Sequence, residues 1–312
     1  MYASKFCSAY KNRILLILNS MFWLTSGLSI AHDNDQTFMD IVNEGKLVQV
    51  SRASIITVSK DTISLSNNTT IPSDATIFAT GWHPGINSLF DLSLAAELGL
   101  PVPVSQRCKE SSQYWNILNA AADKKVLDLY PLLRNPPKSV KIREQPLTPL
   151  IMFRNMIPTS LAARQDRSIA FLGNLYNSQN TTLAEVSALW SVAYLEGLMP
   201  DNELLGNKMR MDQDIALTNA FMLRRYPGRK NEPIAMMEVK DWTDLMLREL
   251  GLRTDRKTVV LERASEGRSW LGFGLKALLK EWFEPCVPAD YKGIVQEFLL
   301  LVEKVGAMKE KV

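Results

Sequence analysis

Asp74-Ala75-Thr76-Ile77-Phe78-Ala79-Thr80-Gly81-Trp82 is the stretch on which the reading of the fold turns. From Ala75 to Ala79 it is apolar without polar alternation. That is the pattern of a strand buried on both faces, as in a parallel sheet, rather than of a half-solvated antiparallel strand. The run then breaks sharply at Thr80-Gly81-Trp82-His83-Pro84-Gly85. A strand that ends on glycine lets backbone approach a ligand closely, because no Cβ intervenes. In open α/β sheets, ligands lie off the carboxyl ends of the strands.

Upstream, residues 45–71 read as a small antiparallel meander. Short β-branched runs at 46–50, 54–58 and 62–65 predict strands, and Asn67-Asn68 supplies turn chemistry. Downstream, 111–133 predicts a helix with Trp115, Leu118, Ala122, Leu127 and Leu129 available for an apolar face. Pro136-Pro137 ends it. The proline-spaced stretch 143–158 predicts a segment wrapping over a surface. Residues 169–172 predict a second buried strand, closed by Gly173-Asn174. Thr182 then reads as the cap of a long helix to about 198, and 203–225, 242–250, 275–283 and 289–303 read as further helices.

The second strand, its glycine and the helix start at Asn180-Thr181-Thr182 form one unit. A helix N-terminus presents free N–H groups and a partial positive charge, so it can stabilise negative charge on a ring edge or a phosphate. Taken alone, a strand-glycine-loop-helix is also what any plain βα unit looks like.

The 74–82 segment closely resembles the ATG-aromatic segment of flavin-containing monooxygenases and their N-hydroxylating and Baeyer–Villiger relatives. Ile169-Ala170-Phe171-Leu172-Gly173-Asn174 resembles the last strand of that family's FAD domain. Glu185 through Trp190 to Gly197 sits where the family has a glutamate-containing helix ending in glycine. Arg224-Arg225-Tyr226, the 244–252 segment and Asp290-Tyr291 resemble fungal-type members. The resemblance covers about residue 32 onward. It implies an incomplete two-dinucleotide-binding, Rossmann-like α/β fold with a small β-meander and a mostly helical C-terminal region. It also implies FAD and NADPH as cofactors, and insertion of one oxygen atom from O2 into a small lipophilic metabolite. By this analogy Thr80 and Gly81 lie near the cofactor cleft, and Gly173, Asn174, Thr181 and Thr182 near the flavin. His83 reads either as cleft-facing or as a turn residue before Pro84.

The family's two glycine-rich phosphate loops are not found in these 312 residues. Gly272-Phe273-Gly274-Leu275-Lys276-Ala277 matches G-x-G-x-x-A, but it follows no apolar strand and reads as a turn into the helix 275–283. The expectation is therefore a chain corresponding to the C-terminal part of such an enzyme and lacking its N-terminal glycine-rich segment. The alternative is a non-catalytic remnant or interaction protein built from the same domain. The sequence divides into an N-terminal apolar segment, 1–31; the meander and ATG strand, 32–90; a helical and irregular insertion, 91–168; the last FAD-domain strand and helix, 169–200; and a helical region, 201–312.

Composition narrows the partners. Net charge is +3, from 36 basic and 33 acidic residues, which makes no electrostatic case for nucleic acid. With only His32 and His83 and three cysteines at no metal-ligand spacing, no metal site is expected. Residues 14–31 are apolar after Lys5, Lys11 and Arg13 but interrupted by Asn19, Ser20, Thr25 and Ser26. They read as a buried helix in a cytoplasmic protein, or as a signal or weak membrane anchor. A half-core left exposed predicts self-association.

Overall fold

The computed structural model describes residues 38–48, 50–51, 53–77, 89–138, 146–176, 180–200, 204–227, 235–236, 239–264, 273–284 and 286–309. It is mixed α/β, mostly helical with small sheets, and divides into two compact units, one of them Ser29–Ile86.

In the Ser29–Ile86 unit, helix α1 (Phe38–Glu44) stops at Gly45, whose φ of 64° is the left-handed conformation glycine adopts without a Cβ penalty. The predicted meander is present: β1 (Ile55–Val58), β2 (Thr62–Leu65) and β3 (Thr70–Pro72) pair antiparallel in that order. The β2–β3 turn is set by Asn68 at φ 64° and by Asn67 Oδ1 accepting the Thr69 N–H at 3.1 Å. Two expectations fail. Lys46 and Leu47 form a bend after Gly45, and neither they nor Val48 carry a strand. Ala75, Thr76 and Ile77 carry no strand either, and Ile77 is 90% exposed. The Ser73 hydroxyl bonds the Ala75 carbonyl at 3.0 Å, a local side-chain bond that competes with a sheet ladder. Phe78 to Trp82, with Thr80, Gly81 and His83, lie outside the described residues, as do residues 14–31.

The larger unit packs around α3 (Lys109–Leu129) and α6 (Lys208–Arg225), which follow α2 (Leu92–Glu97) and the short elements described below. Trp115, Ala122 and Val126 recur on one face of α3, and Met211, Ile215 and Ala216 answer from α6. Asp123 and Arg224 clamp the two helices by paired 2.6 Å bonds. Of the stretch predicted to wrap over a surface, Met152 to Pro158 is instead interior. It forms a hairpin, β4 (Met152–Phe153) and β5 (Ile157–Pro158), leading into α4 (Thr159–Ala162), and all four strand residues are buried. Apolar pairs on both sides of a short turn outweighed the proline spacing.

Asp212 on α6 is fully buried and saturated. It accepts from the Thr159 hydroxyl at 2.8 Å, the Tyr114 hydroxyl at 2.8 Å and Lys208 Nζ at 2.5 Å, joining α3, α4 and α6. Burial, with the bond to Asp212, pushes the Tyr114 phenol up to about 12. α6 begins at Lys208 rather than 203, because Gly206 at φ 88° precedes Asn207, whose Oδ1 caps the Arg210 N–H at 3.1 Å.

Residues 169–172 form no strand; among the described residues they make a single backbone bond of this kind, Phe171 N–H to the Met156 carbonyl at 2.8 Å, which is too little for a ladder. The strand is displaced to β6 (Leu175–Tyr176), which pairs parallel with β7 (Ala235–Met236). Helix α5 (Asn180–Leu195) follows β6, and Thr182 lies within its first turn rather than at its cap. The remaining described α-helices are α7 (Val239–Glu249), α8 (Arg256–Ala264), α9 (Phe273–Phe283) and α10 (Ile294–Lys309). From Phe273 onward the G-x-G-x-x-A match lies in α9, with Gly274 inside the helix; Gly272 lies outside the described residues. Among the described residues, no helix is long and apolar enough to cross a membrane.

Candidate functional site

Met152-Phe153-Arg154-Asn155-Met156-Ile157 places two polar residues between apolar pairs, the composition of a tight hairpin with a buried face. Arg154 and Asn155 both take φ 54°. Asn tolerates this region, whereas Arg adopts it at a cost of about 1–2 kcal/mol. The cost is offset by a clamp. Arg154 Nη1 donates to Asp214 at 2.6 Å, while Nη2 and Nε donate to Glu249 Oε1 at 2.7 and 3.0 Å. The guanidinium also lies over the Phe153 ring at 4.2 Å. The other Glu249 oxygen accepts the Trp190 indole N–H at 2.8 Å, bringing α5 into the cluster.

One cation therefore faces two carboxylates in a largely dry setting. Burial pushes the Asp214 carboxyl up; Arg154 pulls it the other way and Glu249 adds to the rise. The folded chain thus holds this proton more tightly than the unfolded chain. Asp214's contribution is fully present below the ordinary aspartate value of 3.8 and is lost as pH rises through the higher folded value. Urea unfolding of the native chain and Asp214→Asn across about pH 4 to 7 should show the native chain losing stability relative to the variant as pH rises. A pH-independent difference would remove Asp214 as the group responsible.

The same turn positions the sequence-predicted site. Asn174 donates its side-chain N–H to the Asn155 carbonyl at 3.0 Å, so the Gly173-Asn174 bend is tied to the hairpin next to Arg154. Gly173 has φ 85°, and none of the described residues comes within 4 Å of where a Cβ would stand. Its backbone is open to close approach by a flat ligand. Thr181 is exposed in the first turn of α5. Thr182 is buried at 2%, and its hydroxyl has no hydrogen-bond partner among the described residues, so its side chain belongs to the interior. The four residues thus belong to one bend and the helix start after it, but only Gly173, Asn174 and Thr181 have accessible surface. Thr80 and Gly81 fall outside the described residues.

Reading the sequence missed Arg154, Asp214, Glu249 and the indole of Trp190. The available signal was the apolar-polar-polar-apolar pattern at 152–157, masked by the prolines on either side. Asp214 and Glu249 carry no local signal at all, because they meet Arg154 across 60 and 95 residues.

No family model matches the chain, and no solved structure matches it significantly. It is similar to an FAD-dependent monooxygenase of Aspergillus nomiae, 28% identical over 289 residues, covering 92% of this chain and 45% of the relative. It is 31% identical over 287 residues to an FAD-dependent monooxygenase of Fusarium langsethiae, covering 90% of this chain and 44% of the relative. A third relative, an FAD-dependent monooxygenase of Pyrenophora dematioidea, is 30% identical over 245 residues, covering 78% of this chain and 43% of the relative. The chain spans less than half the length of these curated relatives.

Proposed function

We propose that this chain, a member of the flavin monooxygenase family, supplies one wall of the flavin site of an FAD- and NADPH-dependent monooxygenase acting on a small lipophilic molecule. The observation that carries the reading is the similarity over about nine-tenths of the chain to several fungal FAD-dependent monooxygenases. The geometry adds support. The open backbone at Gly173 accommodates a flat ring without Cβ interference, and the first-turn N–H groups of α5 offer donors to electron-rich atoms on its edge. The Thr181 hydroxyl is accessible there, whereas Thr182 contributes through its backbone. The Asn174 amide, tied to Asn155, holds the bend in place. Thr80 and Gly81, outside the described residues, are assigned near a cofactor cleft by the resemblance of the 74–82 segment alone. The parallel pair β6–β7 supports a Rossmann-like parent fold, with 169–200 as the end of the FAD domain and 32–90 as the end of the NADPH domain. Bound FAD supplies oxygen activation and transfer, with NADPH as reductant; this chain's residues position the ring and exclude water.

The residues present fit the ring better than the pyrophosphate, since no glycine-rich phosphate loop occurs in the sequence. A titration tests this division. Purified chain should quench the fluorescence of riboflavin and of FAD with affinities within a few-fold of one another, because the contacts lie on the ring. Gly173→Val should weaken both by at least about tenfold, or 1.4 kcal/mol. The absence of quenching with either flavin would overturn the flavin-wall assignment. It would favour the second reading, a non-catalytic interaction protein derived from the same domain, which the missing phosphate loops already motivate.

A further inference from the structure

The larger unit contains a cavity of about 820 Å³ that the flavin-facing bend does not use. It opens between the C-terminal end of α3 with the turn after it, the second half of α6, and the first turns of α7. Its volume falls in the range of small-molecule sites, roughly 300–1,000 Å³. Aromatic rings form much of its wall. Tyr130 and Phe221 pack at 5.4 Å between centroids, tilted by 59°, and Trp242 closes the opposite side. Leu217 and Leu245 fill the space between them. The charged groups on the lining are already engaged or peripheral to an apolar guest. Arg154 is clamped by Asp214 and Glu249, and the Arg225 guanidinium lies over the Tyr226 ring at 4.7 Å. Asp241 adds a negative charge. An uncharged ring system finds flat aromatic partners in Tyr130, Phe221 and Trp242.

The cavity's position connects it to the bend. Arg154 lines it, and the next residue, Asn155, holds Asn174 through its carbonyl. A smaller gap of about 10 Å³ has Arg154, Asn155, Thr218 and Trp242 among its lining residues, and Asn155 in turn holds the Asn174 amide through its carbonyl. The apolar surface is concave and ligand-sized rather than a flat face of the kind two protein chains share.

We infer that this cavity binds an uncharged, ring-containing lipophilic small molecule, and that Arg154-Asn155 is the partition between it and the flavin wall. As the substrate pocket, it rests on the flavin reading; as a binding site, it stands alone. Titration of the purified chain with Nile red, a neutral polarity-sensitive dye, should give one site per chain. Leu217→Trp, which fills the cavity from α6, should weaken binding at least about tenfold. Trp282→Ala, which removes an exposed ring of α9, should leave it unchanged. A neutral diazirine probe on the unaltered chain should form adducts within 126–133, 217–226 and 241–245, which keeps the test decisive if the Trp variant misfolds. Adducts centred on 279–283 or spread along the chain would overturn the proposal. So would a dimer that dissociates as the probe saturates, which would assign the cavity to a second copy. Saturating FAD should not displace the probe. A chain that binds the probe but no flavin would refute the flavin wall and leave the cavity assignment intact.

Discussion

Arg154→Met is expected to destabilise the chain by about 3–5 kcal/mol, because it removes the cation and leaves its carboxylates behind. Glu249 is nearly buried at its side chain, Asp214 is two-thirds so, and both lose their charge partner. Arg154→Lys should recover only part of the loss: a single ammonium cannot reach Asp214 and also present two donors to Glu249 Oε1. The diagnostic variant is the triple Arg154→Met, Asp214→Asn, Glu249→Gln. Neutralising the orphaned acids should restore much of the stability, since removing every charge of a buried cluster is cheaper than removing one. Urea denaturation measures all of these. If Arg154→Met falls within about 0.5 kcal/mol of the native chain, the cluster is not what holds the hairpin. Loss of the clamp should also loosen the Asn155–Asn174 tie, so flavin quenching and dye binding provide functional readouts in folded variants.

Trp190→Ala is expected to have an effect of similar size, about 3–5 kcal/mol, for a different reason. The indole is fully buried, stacked on Tyr194 at 5.8 Å with planes 9° apart, and 6.4 Å from the Phe153 ring. Truncation opens a cavity at the junction of α5, the hairpin and α7, and removes the N–H that satisfies Glu249 Oε2. Trp190→Phe separates the two contributions: it keeps most of the packing and loses the donor, for about 1–3 kcal/mol. Because Trp190 and Arg154 share Glu249, their effects should not add. A double-mutant cycle with a coupling below about 0.5 kcal/mol would show that the shared carboxylate does not link them.

The expectations that succeeded were those carried by local periodicity. Of the expected apolar face, Trp115, Leu118, Ala122 and Leu127 pack in or against the core and α3 formed over most of 111–133, whereas Leu129 at the helix end is 60% exposed. The β-branched runs around Asn67-Asn68 formed the meander. Failures came where an apolar run has no intrinsic partner. Residues 75–77 and 169–172 look like buried strands by composition, but a strand exists only if another backbone answers its hydrogen bonds. At 169–172 the only such bond among the described residues is from Phe171 to Met156, and the paired strand begins at Leu175. The cap assigned to Thr182 failed by the usual shift of an element boundary; the side chain that looked like a cap packs inside.

By itself the sequence determined a family resemblance, the approximate places of most helices and the order of motifs, because those depend on which residues stand near one another along the chain. Asp74 to Trp82, Ile169 to Asn174 and Asp290-Tyr291 are recognisable with no coordinates, and so is the absence of a glycine-rich phosphate loop. The tertiary structure alone decided that 152–158 lies inside, that Arg154 meets Asp214 and Glu249, and that Gly173-Asn174 hangs from the Asn155 carbonyl. Buried charges pair by proximity in space, and the chain brings these groups together only after α5, α6 and α7 have packed around the hairpin.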